Sequence, residues 1–157
     1  MMVQARSDID YVEELLQLRD VYVNVHPQAR LGVIRKRLAA NEIGPAKLIT
    51  VVSAVEALAR SLMLHRACSR DESPASVYPR FKPKEADQLV EQFLATANIQ
   101  DPARHFAEDT WQLFRYAVNY RNLLVHECTY LGQDKYPSLI AACDEVLDSL
   151  VHLGGLE

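Results

Sequence analysis

Glycine is scarce in this chain, five residues in 157, and none stands in a G-x-x-x-x-G-K or G-x-G-x-x-G arrangement. The phosphate loops of the common nucleotide-dependent enzymes are therefore excluded. Neither G-x-S-x-G nor H-E-x-x-H occurs, which removes the serine-hydrolase elbow and the helical zinc-protease signature. Cysteine is sparse too. Cys68, Cys128 and Cys143 show no C-x-x-C spacing, so they predict neither a disulfide framework nor a thiolate zinc site, and are expected to be reduced and mostly buried. His65 and Cys68, and His126 and Cys128, lie near one another, but nothing completes a set of three or four ligands. No metal and no cofactor is expected. Arg, Glu, Gly or Asn interrupts the apolar runs, and Met-Met-Val-Gln-Ala-Arg-Ser-Asp offers no apolar stretch for a secretory signal. The expectation is a cytoplasmic protein without a membrane partner.

A surplus of positive charge is likewise missing: 17 Lys and Arg stand against 21 Asp and Glu, for a net charge of -4. This argues against a general nucleic-acid coat, whose affinity comes from clustered cations releasing counterions from phosphates. The cations are nonetheless concentrated. Arg30, Arg35, Lys36 and Arg37 occur with no acid between residues 28 and 37, and residues 60 to 84 hold Arg60, Arg66, Arg70, Arg80, Lys82 and Lys84 against Asp71 and Glu72. These stretches are either solvated faces or a surface for an anionic ligand.

What the chain does have is the size and the 49% hydrophobic content of one ordinary globular domain. At this length roughly 70% of the unfolded chain's surface can be buried, enough for a core without covalent staples. Pro27, Pro45, Pro83, Pro102 and Pro137 each precede a helix-period pattern, where the missing N–H and fixed φ cost nothing. Before them, Ile9, Val12, Leu15, Leu16 and residues 18 to 22 form another apolar stripe, with Ser7 and Asp8 as caps. Six helices are predicted, at 8–24, 28–42, 45–68, 84–98, 102–127 and 137–153, and no sheet, because sustained two-residue alternation is absent. The fold class is all-α, an antiparallel helical bundle over 45–153 with two extra N-terminal helices in 1–44. Leu48, Val51, Val52, Val55, Leu58, Ala59 and Leu62 form the apolar face of one long core helix. Phe106, Thr110, Leu113, Phe114, Ala117, Val118, Leu124 and Val125 form that of a second. Residues 68 to 82 read as one long irregular segment.

The chemistry concentrates in Tyr116-Ala-Val-Asn-Tyr120-Arg121-Asn122-Leu-Leu-Val-His126-Glu127, near the end of the second core helix. An R-x4-6-H spacing occurs three times, at Arg19 and His26, Arg60 and His65, and Arg121 and His126. Of the three, Arg121 is the one followed by Asn, at Asn122, and the one in the penultimate predicted helix. Its phase also puts it in the apolar seam with Phe114, Ala117, Val118 and Val125. An unpaired Arg there would be costly, so it needs an acidic partner, for which Glu56 is the candidate, or a seam that opens into a cleft or interface. Arg115, Asn119, Asn122 and His126 form a polar stripe about 140° around the helix from Arg121, so one straight helix should not aim both Arg121 and His126 at one atom.

This pattern resembles the HEPN superfamily (higher eukaryotes and prokaryotes nucleotide-binding). Its members are helical bundles with R-x4-6-H in a late helix, and residues 49 to 60 look like their first core helix. The resemblance implies a metal-independent endoribonuclease in which His126 is the general base, Arg121 stabilises charge on phosphorus and Asn122 orients the imidazole or the phosphate. Arg115, Glu56 and Arg60 complete the candidate substrate-binding set, although Glu56 and Arg60 at i, i+4 also suit a plain surface ion pair. The resemblance further implies RNA as partner, a homodimer that brings Arg and His of two protomers together, and a role in toxin–antitoxin or defence systems beside an antitoxin protein. The alternative is a non-catalytic helical dimer that binds a nucleotide, RNA or a protein partner. Trp111, Tyr116 and Tyr120 are suited to stacking on bases but are expected to serve packing.

Overall fold

The computed structural model describes residues 8–157, and among them every regular element is helical. The helices are α1 (Tyr11–Asn24), α2 (Pro27–Leu38), α3 (Gly44–Ala67), α4 (Pro74–Phe81), α5 (Ala86–Thr96), α6 (Pro102–His105), α7 (Thr110–His126) and α8 (Tyr136–Leu153). A 3-10 turn at Gln133–Lys135 leads into α8. The predicted all-α class is thus observed.

Helix α3 is the hub, packing against α2, α4, α5, α7 and α8. Leu48, Val51, Val52, Val55, Leu58, Ala59 and Leu62 are all buried, as their three- and four-residue spacing predicts. Length and composition alone would let this helix cross a membrane, contrary to the expectation that charges break up every apolar run. Its apolar side chains instead join those of α5, α7 and α8, among them Phe93, Phe114 and Leu150, in one core.

Three features depart from the sequence expectation. First, Pro74–Phe81 is helical inside the segment read as irregular. Ser73 and Ser76 cap it reciprocally, each hydroxyl accepting from the other's backbone N–H, and Pro79 sits within its second turn. Second, the long helix from Pro102 is broken. Phe106 leaves the helix in an extended conformation, Glu108 turns the chain at φ 46°, and α7 starts afresh at Thr110. The break lets Phe106 lie flat on Trp111, with ring centroids 5.9 Å apart and planes 9° from parallel, so Trp111 serves packing. Third, α5 opens at Ala86 rather than beside Pro83, with the Gln88 side chain accepting from the Glu85 N–H.

The two N-terminal helices differ in how they are held. Helix α2 buries Leu31 and Ile34 in the common core, whereas α1 packs mainly against α4 and leaves Val12, Leu15, Leu18 and Val21 exposed. Asp10, not Asp8, caps α1 by accepting from the Glu13 N–H; Ser7 lies outside the described residues.

The cysteines are free but only partly buried: Cys143 is enclosed, Cys68 half-buried and Cys128 exposed at a positive φ. Burial, reinforced by Asp144, pushes the Cys143 thiol up to about 12, and burial together with Glu72 raises Cys68. Titration of the native protein with a thiol reagent at pH 8 should label Cys128 first and Cys68 more slowly. Cys143 should react only once denaturant unfolds the chain. Fast native labelling of Cys143 would contradict this packing.

Candidate functional site

Polar residues interrupt α3 along one stripe, Ser53, Glu56 and Arg60 at three- and four-residue spacing, and this stripe faces the C-terminal half of α7. The two helices wall a cleft of about 400 Å³, closed on a third side by the Lys82–Glu85 connection between α4 and α5. From α7 the lining residues are Arg121, Asn122, Val125 and His126.

Arg121 is the most fixed group of the cleft. Its Nη2 donates to Glu56 Oε1 at 2.9 Å, its Nη1 to Ser53 Oγ at 3.3 Å and its Nε to Asn122 Oδ1 at 3.0 Å. Three of its five N–H groups are thereby engaged and two remain for a ligand. Glu56 serves two cations at once, since its other oxygen lies 3.2 Å from Arg60 Nη2. With side chains only 22% (Glu56), 13% (Arg121) and 16% (Arg60) exposed, this Arg–Glu–Arg cluster is partly desolvated: the expected i, i+4 ion pair of Glu56 and Arg60 forms, but half-buried and shared with Arg121. One carboxylate between two guanidinium groups leaves one positive charge in the cluster. Lys82 and Lys84 add two more, against Glu85.

Arg121 and His126 both line this cleft within one chain, at the separation around the helix that the sequence predicts. The arc from Arg121 through Val125 and Asn122 to His126 covers about 140° of α7, and the cleft is broad enough to be floored by all of it. Val125 is exposed for this reason, and Leu124 takes its place in the core. His126 is the last residue of α7 and is exposed at the rim, with no side-chain hydrogen bond among the described residues.

Asn122 does not reach His126. It accepts from Arg121, and its Nδ2 lies 3.5 Å from Glu85 Oε2, so it positions the guanidinium. Arg115 lies outside the cleft, exposed, with its Nε 3.7 Å from Asp87 Oδ2. Of the competing spacings, Arg60 lines the cleft but His65 does not; the His65 ring meets His26 edge-on, 6.1 Å between centroids. His26 accepts the Gln28 N–H as a helix cap. Ser53 and Glu85 are not among the residues that the sequence singles out, and Lys82 and Lys84 stand there only as part of the cation-rich stretch 60–84. The signal for the lysines is that run of cations, and for Ser53 it is its place three residues before Glu56 on an otherwise apolar helix. Among the described residues no three His, Cys, Asp or Glu side chains gather as a metal-ligand set.

No family model matches the chain, and neither a curated protein nor a solved structure matches it.

Proposed function

We propose that the cleft between α3 and α7 cleaves RNA without a metal, in the manner that the HEPN resemblance implies. The observation that supports this reading is that Arg121 and His126 both line one open cleft, together with Lys82 and Lys84. Transesterification of RNA needs an acceptor for the 2'-OH proton and a fixed cation where charge builds on the phosphate. In this reading His126 takes the proton and the O2'–P bond forms. The two free N–H groups of Arg121 bind the equatorial oxygens. The P–O5' bond then breaks, and the 5'-oxygen takes up a proton from water in the open cleft. Lys82 and Lys84 hold neighbouring phosphates as point charges. The acidic pI does not oppose this role, because the charge that matters is local.

Purified protein in excess EDTA should cleave single-stranded or loop RNA, leave DNA of the same sequence intact and produce 2',3'-cyclic phosphate ends. DNA lacks the nucleophile. If the folded protein, free of any partner, cuts none of a broad RNA panel, the non-catalytic binding module takes precedence. A homodimer is retained as part of the proposal on different grounds: the exposed apolar stripe of α1 is surface that a second copy would cover. Light scattering at tens of micromolar should give twice the chain mass. The toxin–antitoxin or defence setting, and an antitoxin partner, rest on the HEPN resemblance alone.

A further inference from the structure

Arg60 has a second side. Opposite the cleft it borders a cavity of about 200 Å³ between α1, α2, α3 and α4, lined by Arg19, Tyr22, Arg30, Arg60, Ser61 and Tyr78 along with apolar groups. Three guanidinium groups converge here and no carboxylate lines the walls. Among the described residues Arg19 pairs only with Asp20, its half-exposed neighbour on α1, at 3.2 Å. Arg30 makes no side-chain hydrogen bond or ion pair among the described residues, and residues 1–7 contain no Asp or Glu that could supply an ion pair. The buried Nε of Arg60 and the buried hydroxyl of Ser61 both lack a hydrogen-bond partner among the described residues. Tyrosine rings fix two of the cations, Tyr78 with Arg19 at 5.1 Å and Tyr22 with Arg30 at 5.3 Å.

Gathering like charges and leaving buried donors empty both cost free energy, so such a wall is stable only as far as the fold compels it. The strain registers on Arg30, whose hold on its proton is weakened, first by burial and then by Arg60. An anion would reverse the balance. A carboxylate offers two oxygens, enough for one fork. A tetrahedral phosphoryl group offers three or four, matching three guanidinium groups and a hydroxyl that approach from three helices.

We infer that this cavity binds a phosphoryl group, as a second anion site distinct from the cleft between α3 and α7. Its cations come from α1 and α2 as well as α3, which gives the two N-terminal helices a ligand-binding role. The group is carried either by a small phosphorylated molecule or by RNA leaving the cleft past Arg60.

Calorimetric titration with inorganic pyrophosphate at constant ionic strength should show saturable binding, and pyrophosphate should raise the melting temperature. Arg30→Gln should weaken binding at least about tenfold, the usual scale for one charge-assisted contact. In phosphate-free buffer its melting temperature should equal or exceed that of the wild type, because one of three converging charges is gone. Arg19→Gln, at a more exposed position, should weaken binding in the same direction. Lys82→Gln combined with Lys84→Gln, which strips the cleft of its phosphate-holding lysines, should leave pyrophosphate binding at the three-arginine cavity intact, which separates this site from the cleft. A 2'-O-methylated oligoribonucleotide, which cannot be cut, identifies the source. Loss of its binding in Arg30→Gln assigns the phosphoryl group to RNA, and loss of pyrophosphate binding alone assigns it to a small ligand. Wild-type protein that binds neither probe overturns the inference. So does an Arg30→Gln variant that binds both unchanged, or that melts several degrees lower in phosphate-free buffer, which would make Arg30 a structural residue.

Discussion

Replacing His126 by alanine should slow RNA cleavage at least about a hundredfold, the usual contribution of a positioned general base, with the circular dichroism spectrum and melting temperature unchanged. The stability half of this expectation follows from His126 being exposed at the last residue of α7, where it supports neither core nor cap. Arg121→Lys is the sharper companion. It keeps the charge but loses the planar fork that meets Glu56, Ser53 and Asn122 together, so the rate should fall by a similar factor. His65→Ala is the control, since His65 belongs to a competing R-x4-6-H spacing yet lies outside the cleft. If it abolishes cleavage while His126→Ala does not, the cleft between α3 and α7 is not where the chemistry occurs.

The largest effect on stability should come from Glu56→Gln. Its carboxylate is the common acceptor for Arg60 and Arg121, and removing the charge leaves two guanidinium groups facing each other in a partly desolvated cluster. Breaking one partner out of such a cluster costs about 2–3 kcal/mol after allowance for its residual exposure. That corresponds to a fall of roughly 5–10 °C in melting temperature for a domain of this size. Arg121→Met should cost less, because Glu56 keeps Arg60. The double variant should recover part of the loss relative to Glu56→Gln alone, which a double-mutant cycle measures directly. Equal, additive losses in the two single variants would mean that Glu56 does not bridge the pair.

How far these features were legible in the sequence depends on whether a local rule carried them. Pro27, Pro45, Pro102 and Pro137 do stand at the first turns of α2, α3, α6 and α8, because Pro is preorganised there. Helix α4 was missed although Ser73 and Ser76 spell its cap, because Pro79 and the serines around it read as breakers. The break at Phe106 had no local signal, since neither Gly nor Pro marks it; the Phe106–Trp111 stack that accompanies it is a tertiary contact. At the site, the helix phase of Arg121 announced a buried cation that needed an acid, and Glu56 answers it. The sharing of that acid with Arg60, and the approach of Lys82 and Lys84, depend on how α3, α7 and the α4–α5 connection meet. Helical spacing within one segment carries no information about that meeting.

Arg60 stands in the wall common to the cleft and the three-arginine cavity, with one face of its guanidinium engaged by Glu56 and its Nε turned to no partner. In genetic terms position 60 is pleiotropic. A substitution there changes two surfaces in one step, so its phenotype cannot be assigned to either. Arg30 on one side and His126 on the other are separable. If both proposed sites operate, a lineage that gave up one while keeping the other would be expected to record the loss at those outer positions and to retain arginine at 60.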